Sequence, residues 1–239
     1  MEGTAFGLLV PASNRVMEED FRRWLPQGAR MNVNRLNAPR ERPDDMLVNL
    51  EAIVSGVDEV ARLLDLAAPD VVAFGCTSGS FLHGAGWDDE IRARIAGACK
   101  CGRVVVTARA VVDALRALGA RRLAVATPYP ESVNERLRAY LQHAGFDITA
   151  FEAVDGWKGG TIARLAPQVA IDLALAGARS RPDAIMVSCT NFRAGEAIAE
   201  IEAKTGLPVV TANQATFWAS ARLAGIESTL APLGRLGAH

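Results

Sequence analysis

The chain states one unusual phrase twice. Ala73-Phe74-Gly75-Cys76-Thr77-Ser78-Gly79-Ser80 has an echo in Met186-Val187-Ser188-Cys189-Thr190-Asn191-Phe192, and Pro69-Asp70 precedes Cys76 at the spacing at which Pro182-Asp183 precedes Cys189. In both places an apolar run ends in a cysteine followed at once by small hydroxyl or amide residues. That pattern reads as a buried strand delivering a thiol to a donor-rich loop at its carboxyl end. The repetition continues on either side. One shift superposes Pro11, Val16, Glu18 and Gly28 on Pro128, Val133, Glu135 and Gly145, and a slightly smaller one superposes Gly102 and Thr107 on Gly206 and Thr211. A repeat about half the chain long predicts two similar lobes instead of a solenoid, with both cysteines facing a cleft between them. A single buried cysteine is ordinarily a packing residue; two at equivalent strand ends point to chemistry.

Alternating strand and helix signals fill out each lobe. Phe6 to Val10 is a continuous apolar run closed by Pro11, as in a parallel strand buried on both faces. Ser13 or Asn14 can cap a helix starting near Val16, with Glu18, Glu19 and Asp20 in its first turns; Asn14 can equally face a ligand at the strand end. A weaker strand, Met31 to Leu36, leads through a polar loop from Asn37 to Pro43. Met46, Leu50, Ile53, Val57, Val60 and Leu64 then form one helical stripe of core residues. Val71 to Phe74, a helix from Trp87 to Ala98, Val104 to Val106 and a helix capped by Thr107 complete the first programme. The second runs Leu123 to Ala126, a helix Glu131 to His143, Ile148 to Phe151, a helix Thr161 to Ala178, Ala184 to Val187, a helix opened by Asn191-Phe192-Arg193, Val209-Val210, and a helix to Leu223 capped by Asn213. The fold class expected is α/β, with two pseudo-symmetric lobes of four parallel strands each and right-handed crossovers. Residues 1–107 form the first lobe, with 212–239 a candidate to complete it, and residues 108–211 form the second.

Composition narrows the partners. With 239 residues and 50% hydrophobic content the chain can bury a substantial core. Lys+Arg 26 balances Asp+Glu 27 without a basic block, which argues against nucleic acid. No basic-apolar leader opens the sequence and no apolar run approaches the ~20 residues that span a bilayer, so a cytoplasmic protein with no membrane partner is expected. Whether it forms a homo-oligomer is left open. Under reducing conditions the four cysteines are expected to stay free. Cys99-Lys100-Cys101 lacks further ligands at metal spacing, since His83, His143 and His239 lie elsewhere, so no metal is expected. No glycine-rich phosphate loop follows any strand, and no nucleotide cofactor is expected.

Two thiols facing each other, one ionised and one protonated, can take a proton from one face of a carbon acid and return it on the other, or one can add to an activated double bond while the other moves a proton. Donor-rich loops are expected to lower the thiol pKa. Either reaction puts negative charge on a substrate carboxylate, for which Thr77, Ser78, Ser80, Tyr129, Thr190 and Asn191 are the neutral donors at hand. Tyr129 follows the strand Leu123 to Ala126, at a carboxyl end like the cysteines; its plainer reading is a surface aromatic in a turn. Arg109 and Arg193 are further candidates to bind a carboxylate.

These segments, with Val10-Pro11-Ala12-Ser13-Asn14, Thr127-Pro128-Tyr129 and Val209-Val210-Thr211-Ala212-Asn213-Gln214, resemble the aspartate/glutamate racemase superfamily over essentially the whole chain. The nearest likeness is to the branch of maleate cis-trans isomerases, arylmalonate decarboxylases and racemase-like proteins of ectoine utilisation. The resemblance implies two flavodoxin-like lobes, an active site between them and no cofactor. It implies catalytic roles for Cys76 and Cys189, carboxylate binding by Asn14 and Tyr129 as in maleate isomerases, and a dioxyanion hole of Thr77, Ser78 and Tyr129 as in the decarboxylases. The branches then diverge. Decarboxylases share Thr77-Ser78-Gly79-Ser80-Phe81 but carry glycine where Cys76 stands, whereas maleate isomerases share both cysteines but have apolar residues after the first; Ser188-Cys189-Thr190-Asn191 looks most like the ectoine-pathway proteins. The expectation is a cofactor-independent two-cysteine isomerase of a small carboxylate, with maleate to fumarate the leading reaction. Racemisation of an amino acid or related carbon acid, decarboxylation of an aryl malonate, and simple binding of a small acid are the alternatives.

Overall fold

The computed structural model describes residues 3–37, 39, 43–157, 162–227 and 230–239. In chain order it runs β1 (Ala5–Pro11), α1 (Val16–Trp24), β2 (Arg30–Leu36), α2 (Met46–Ser55), α3 (Val57–Asp65), β3 (Val71–Phe74), α4 (Thr77–Ser80), α5 (Trp87–Ala98), β4 (Val104–Val106) and α6 (Thr107–Ala117). There follow β5 (Arg122–Thr127), α7 (Glu131–His143), β6 (Asp147–Ala153), α8 (Pro167–Ala178), β7 (Ala184–Val187), α9 (Ile198–Thr205), β8 (Val209–Thr211) and α10 (Ala212–Leu223). The strands form two four-stranded sheets of identical plan, β2-β1-β3-β4 and β6-β5-β7-β8, in which every pairing is parallel. The expected α/β class and its duplication are both present. Among the described residues no helix is long and apolar enough to cross a membrane.

The apolar runs explain which strands are central. β1, β3 and β7 are buried at every residue, and β5 at all but its first, because helices cover both faces. The outer strands β2 and β6, with polar residues interleaved, are only partly buried. The repeated Pro-Asp pair works at the amino ends of the sheets. Asp70 accepts from the main-chain N–H of Ala5, and Asp183 accepts from those of Arg121 and Arg122, so each carboxylate ties the start of one central strand to its neighbour. The C-terminal helix α10 packs against α6 and onto β3 and β4 of the first sheet. Its Phe217 meets Phe6, Phe21 and Trp24 at ring-centroid distances of 5.9, 5.1 and 5.8 Å, each such pair adding about 0.5–1.5 kcal/mol beyond burial.

Several local expectations change. The stripe from Met46 to Leu64 belongs to two helices, broken at Gly56, where a side chain would press on the Asn37 amide at 3.0 Å. α8 begins at Pro167, whose ring suits the first helical turn, after a single 3-10 turn at Ile162–Arg164; the expected start at Thr161 lies outside the described residues, as do positions 38 and 40–42 of the polar loop. The helix expected from Asn191 starts only at Ile198. Helix α10 is capped by Thr211, not Asn213: the Thr211 hydroxyl accepts from the N–H of Gln214, whose side chain accepts from the N–H of Thr211. Thr107 does not cap α6; its hydroxyl donates to the carbonyl of Phe74.

Candidate active site

In each sheet the chain lays down one central strand, steps outward to an edge, then crosses back to add a strand on the other side. The reversal falls between β1 and β3 and between β5 and β7, and a crevice opens at the carboxyl ends of strands at such a reversal. The four loops leaving those strands carry Asn14, Cys76, Tyr129 and Cys189. All four side chains, with Thr77, Ser78, Thr190 and Asn191, line one cavity of about 50 Å³. At the ~10–15 Å³ needed per water by this measure, it suits a small acid and is far too small for a nucleotide. These eight of the residues expected from the sequence therefore meet at one place, whereas Ser80, Arg109 and Arg193 do not join them.

Cys76 stands just before the single helical turn α4, and its sulfur accepts from the N–H of Gly79 at 3.4 Å. Gly79 leaves room for this contact: a Cβ would lie 3.0 Å from that sulfur and 3.3 Å from Val54, so a side chain would crowd both. Ser80 serves the turn and not the cavity, its hydroxyl donating to the carbonyl of Cys76 at 2.6 Å. Among the described residues Thr77 Oγ1 is buried without a close hydrogen-bond partner, approaching only the Tyr129 hydroxyl, whose pKa it acts to lower. A buried hydroxyl left unpaired costs about 1–3 kcal/mol, which marks it as a donor awaiting a ligand.

Cys189 adopts φ 91°, left-handed backbone that side-chain-bearing residues seldom take up. Such conformations cluster at functional sites. Tyr129 is not a surface aromatic: it is 1% exposed, its hydroxyl accepts from Ser188 Oγ at 3.3 Å, and it adjoins Cys189. Burial pushes the Cys76 thiol up to about 11, against the Gly79 and Ser78 hydrogen bonds. It pushes Cys189 up to about 12 against the N–H of Asn191 and the Tyr129 hydroxyl, and raises Tyr129 well above its ordinary range. The expected lowering by loop donors is thus reversed, because desolvation outweighs two or three hydrogen bonds. Raised this far, both thiols are protonated at neutral pH, and all four cysteines are free.

A hydrogen-bond chain joins the sheets across the cavity floor. Asn14 donates to Thr190 Oγ1 at 2.9 Å, and that hydroxyl donates to the carbonyl of Gly75 at 3.0 Å. Asn14 Oδ1 also accepts from the N–H of Met17 at 3.2 Å, so this residue both holds the start of α1 and faces the site. The N–H of Arg15 donates to Asn191 Oδ1, which leaves the Asn191 amide nitrogen available to a ligand. Opposite stands a wall of Met46, Leu50, Ile53, Trp157 and Ile162, interrupted by Asn49. Met46, Leu50 and Ile53 are core residues, as expected, and cavity residues as well; Asn49 and Trp157 escaped sequence reading because nothing local distinguishes them. Among the described residues the lining holds no charged side chain. Arg109 is engaged with Asp88 and Asp89, and Arg193 with Glu196, so neither takes part. Cys99 is buried against the carbonyl of Ala61 and Cys101 lies near that of Arg103.

The chain is similar to proteins of more than one activity. Arylmalonate decarboxylase from Bordetella bronchiseptica is 34% identical over 191 residues, 78% of each chain. Maleate isomerase from Pseudomonas putida is 26% identical over 242 residues, covering 96% of this chain and 95% of the relative. Among solved structures, a cysteine-to-serine mutant of Nocardia farcinica maleate cis-trans isomerase with a covalently bound succinylcysteine intermediate is 25% identical and superposes with a TM-score of 0.87, covering 98% of both chains. The family model described as arylmalonate decarboxylase matches residues 7–237, and with the two-sheet plan and the donor-lined thiol cavity in place, the chain belongs to that family.

Proposed function

We propose that the chain is a cofactor-independent isomerase that converts maleate to fumarate with two cysteines. The observation that carries this reading is the pair of free thiols, presented by equivalent loops of two sheets to one small cavity of neutral donors. When substrate binds, the Cys76 thiol gives its proton to solvent and its thiolate sulfur adds to one alkene carbon; that proton is regained from solvent after Cys76 leaves as thiolate at the end of the cycle. The π electrons move toward the neighbouring carbon, stabilised as an enediolate by Thr77, Ser78 and Tyr129, and Cys189 protonates that carbon. The former double bond is now single and rotates. Cys189, now the thiolate, takes the proton back, the electrons re-form the alkene, and Cys76 leaves. Atoms and electrons balance between the two thiols and solvent, so the sequence of steps needs no cofactor. Asn14 and Asn191 hold the carboxylate that does not carry the developing charge, with the Thr190 hydroxyl fixing Asn14 against the Gly75 carbonyl.

The succinylcysteine of the Nocardia relative supports this scheme, since a succinyl group on sulfur is what thiol addition to a four-carbon unsaturated diacid leaves behind. That adduct sits on a cysteine although another has been replaced, which fits a division of labour between an adding thiol and a proton-moving thiol. The test is proton NMR of the full chain with maleate in deuterated water, together with mass spectrometry of Cys189→Ser. Fumarate formation by the wild type and a covalent adduct on Cys76 in the variant are expected. Neither fumarate nor adduct would overturn the reading. The apolar wall of Met46, Leu50, Ile53, Trp157 and Ile162 favours a second reading, decarboxylation of a malonate bearing an apolar group, in which Cys189 alone protonates the product; carbon-bound deuterium in the product of an aryl malonate would identify it.

A further inference from the structure

One buried carboxylate has no part in the scheme above. Asp20, on α1, is 1% exposed. Its Oδ2 accepts from Asn213 Nδ2 at 2.8 Å, and the same nitrogen donates at 3.1 Å to the main-chain carbonyl of Thr190, the residue that follows the second thiol. Gly195, farther along the same loop, lies so near that a Cβ there would stand 2.5 Å from Asp20 Oδ2. The first helix, the last helix and the Cys189 loop thus converge on one side chain.

The chemistry of that convergence is directional. An ionised carboxylate only accepts hydrogen bonds, so it fixes the Asn213 amide with its nitrogen inward. In that orientation the nitrogen satisfies both Asp20 and the Thr190 carbonyl, at the cost of leaving Asn213 Oδ1 buried without a partner. With the amide reversed, its oxygen would face the Thr190 carbonyl, acceptor against acceptor. Thr190 held in place keeps its hydroxyl between Asn14 and the carbonyl of Gly75, and keeps Cys189 in its left-handed backbone.

We propose that Asp20 is a positioning residue that, through Asn213, holds the Cys189–Thr190 segment in the arrangement needed for proton transfer; this rests on the two-thiol reading. Burial raises the Asp20 carboxyl to about 6, against the Asn213 hydrogen bond and the Arg23 guanidinium, while Glu196 and Glu19 push it the same way as burial. Arg193 also feels its charge from the loop side. Since the carboxyl ionises as pH rises through about 6, the hold is complete at neutral pH and is released on acidification.

The test compares Asp20→Leu, Asp20→Asn and Asn213→Ala in the full chain. It reads kcat and KM for maleate and, without substrate, the ratio of iodoacetamide labelling at Cys189 to that at Cys76. Asp20→Leu and Asn213→Ala are expected to lower turnover about 10–100-fold, mainly in kcat, and to move the labelling ratio at least about threefold, the scale of a misplacement near 1 Å. Asp20→Asn, whose amide can donate as well as accept like the protonated carboxyl, should show at neutral pH the lowered kcat that the wild type shows below about pH 6 and should lack the acid limb of the wild type. A folded Asn213→Ala or Asp20→Leu chain with wild-type kcat and labelling ratio overturns the proposal, as does an acid limb unchanged in Asp20→Asn. Absence of maleate turnover in the wild type would sink the isomerase reading alone, because the labelling ratio involves no substrate and still decides whether Asp20 positions Cys189.

Discussion

Cys76 and Cys189 each stand two residues beyond the end of a buried four-residue strand, yet the backbone that follows differs. After Cys76 the chain turns at once into α4, and the sulfur is held by an N–H three residues on. After Cys189, itself left-handed, the next helix waits until Ile198; the sulfur meets the N–H groups of Asn191 and Phe192 and, from another loop, the Tyr129 hydroxyl, and its own loop is anchored to Asn213 and Asp20. One thiol is placed by its own sequence neighbours and the other by sequence neighbours together with tertiary contacts. That asymmetry fits a division in which Cys76 bonds to carbon from a fixed perch while Cys189 moves a proton.

The largest effect comes from removing either thiol. Cys76→Ala and Cys189→Ala should each lower maleate turnover by at least the ~10²–10⁴-fold that a positioned acid or base contributes. The two losses differ in kind. Without Cys189 the adduct on Cys76 can form but not collapse, so mass spectrometry should find it there; without Cys76 no adduct should appear. A Cys76 variant with wild-type turnover would remove the isomerase reading, and a Cys76→Gly variant active on an aryl malonate would establish the decarboxylase one.

The two threonines that follow the thiols sharpen the contrast. Among the described residues Thr77 Oγ1 has no close partner beyond its approach to the Tyr129 hydroxyl, whereas Thr190 Oγ1 is bonded to both Asn14 and Gly75. Thr77→Val should therefore keep or slightly raise the melting temperature while lowering kcat about 10²–10³-fold, the range for one donor to a developing oxyanion. Thr190→Val should lose about 1–3 kcal/mol of stability, because it strands the Asn14 amide and the Gly75 carbonyl. Denaturant titration beside steady-state kinetics checks both, and equal destabilisation by the two replacements would contradict the asymmetry.

The same asymmetry decided what could be read from the sequence. The apolar runs, their fourfold alternation with helices and the two thiol loops follow from local pattern, and so the sheets and the eight cavity residues were legible. Tertiary effects were not. The continuous stripe from Met46 to Leu64 hid a break at Gly56 whose cause is Asn37, distant in sequence. Thiol pKa values follow burial, which no short window reports. Asp20 did leave a signal: with Val16, Met17, Phe21 and Trp24 it falls on the buried face of α1, where a carboxylate is out of place unless it has a partner. Asn213 was taken for a cap because its neighbour Thr211, the residue that does the capping, lies inside the apolar end of β8.

The smallest effect isolates the backbone. A residue with a Cβ held in the left-handed region costs about 1–2 kcal/mol, and glycine does not pay it. Cys189→Gly relieves that strain while losing a buried side chain, so the two changes oppose each other. Cys76→Gly, at φ −140°, relieves nothing and loses both the burial and the sulfur that accepts from Gly79. The melting temperature should therefore fall less in Cys189→Gly than in Cys76→Gly, although both lose isomerase activity. Thermal denaturation of the two variants side by side measures this, with Cys189→Ala as the control that removes the sulfur but keeps the Cβ. If Cys189→Gly melts no higher than Cys189→Ala, the left-handed backbone stores no strain, and the second thiol is held as comfortably as the first.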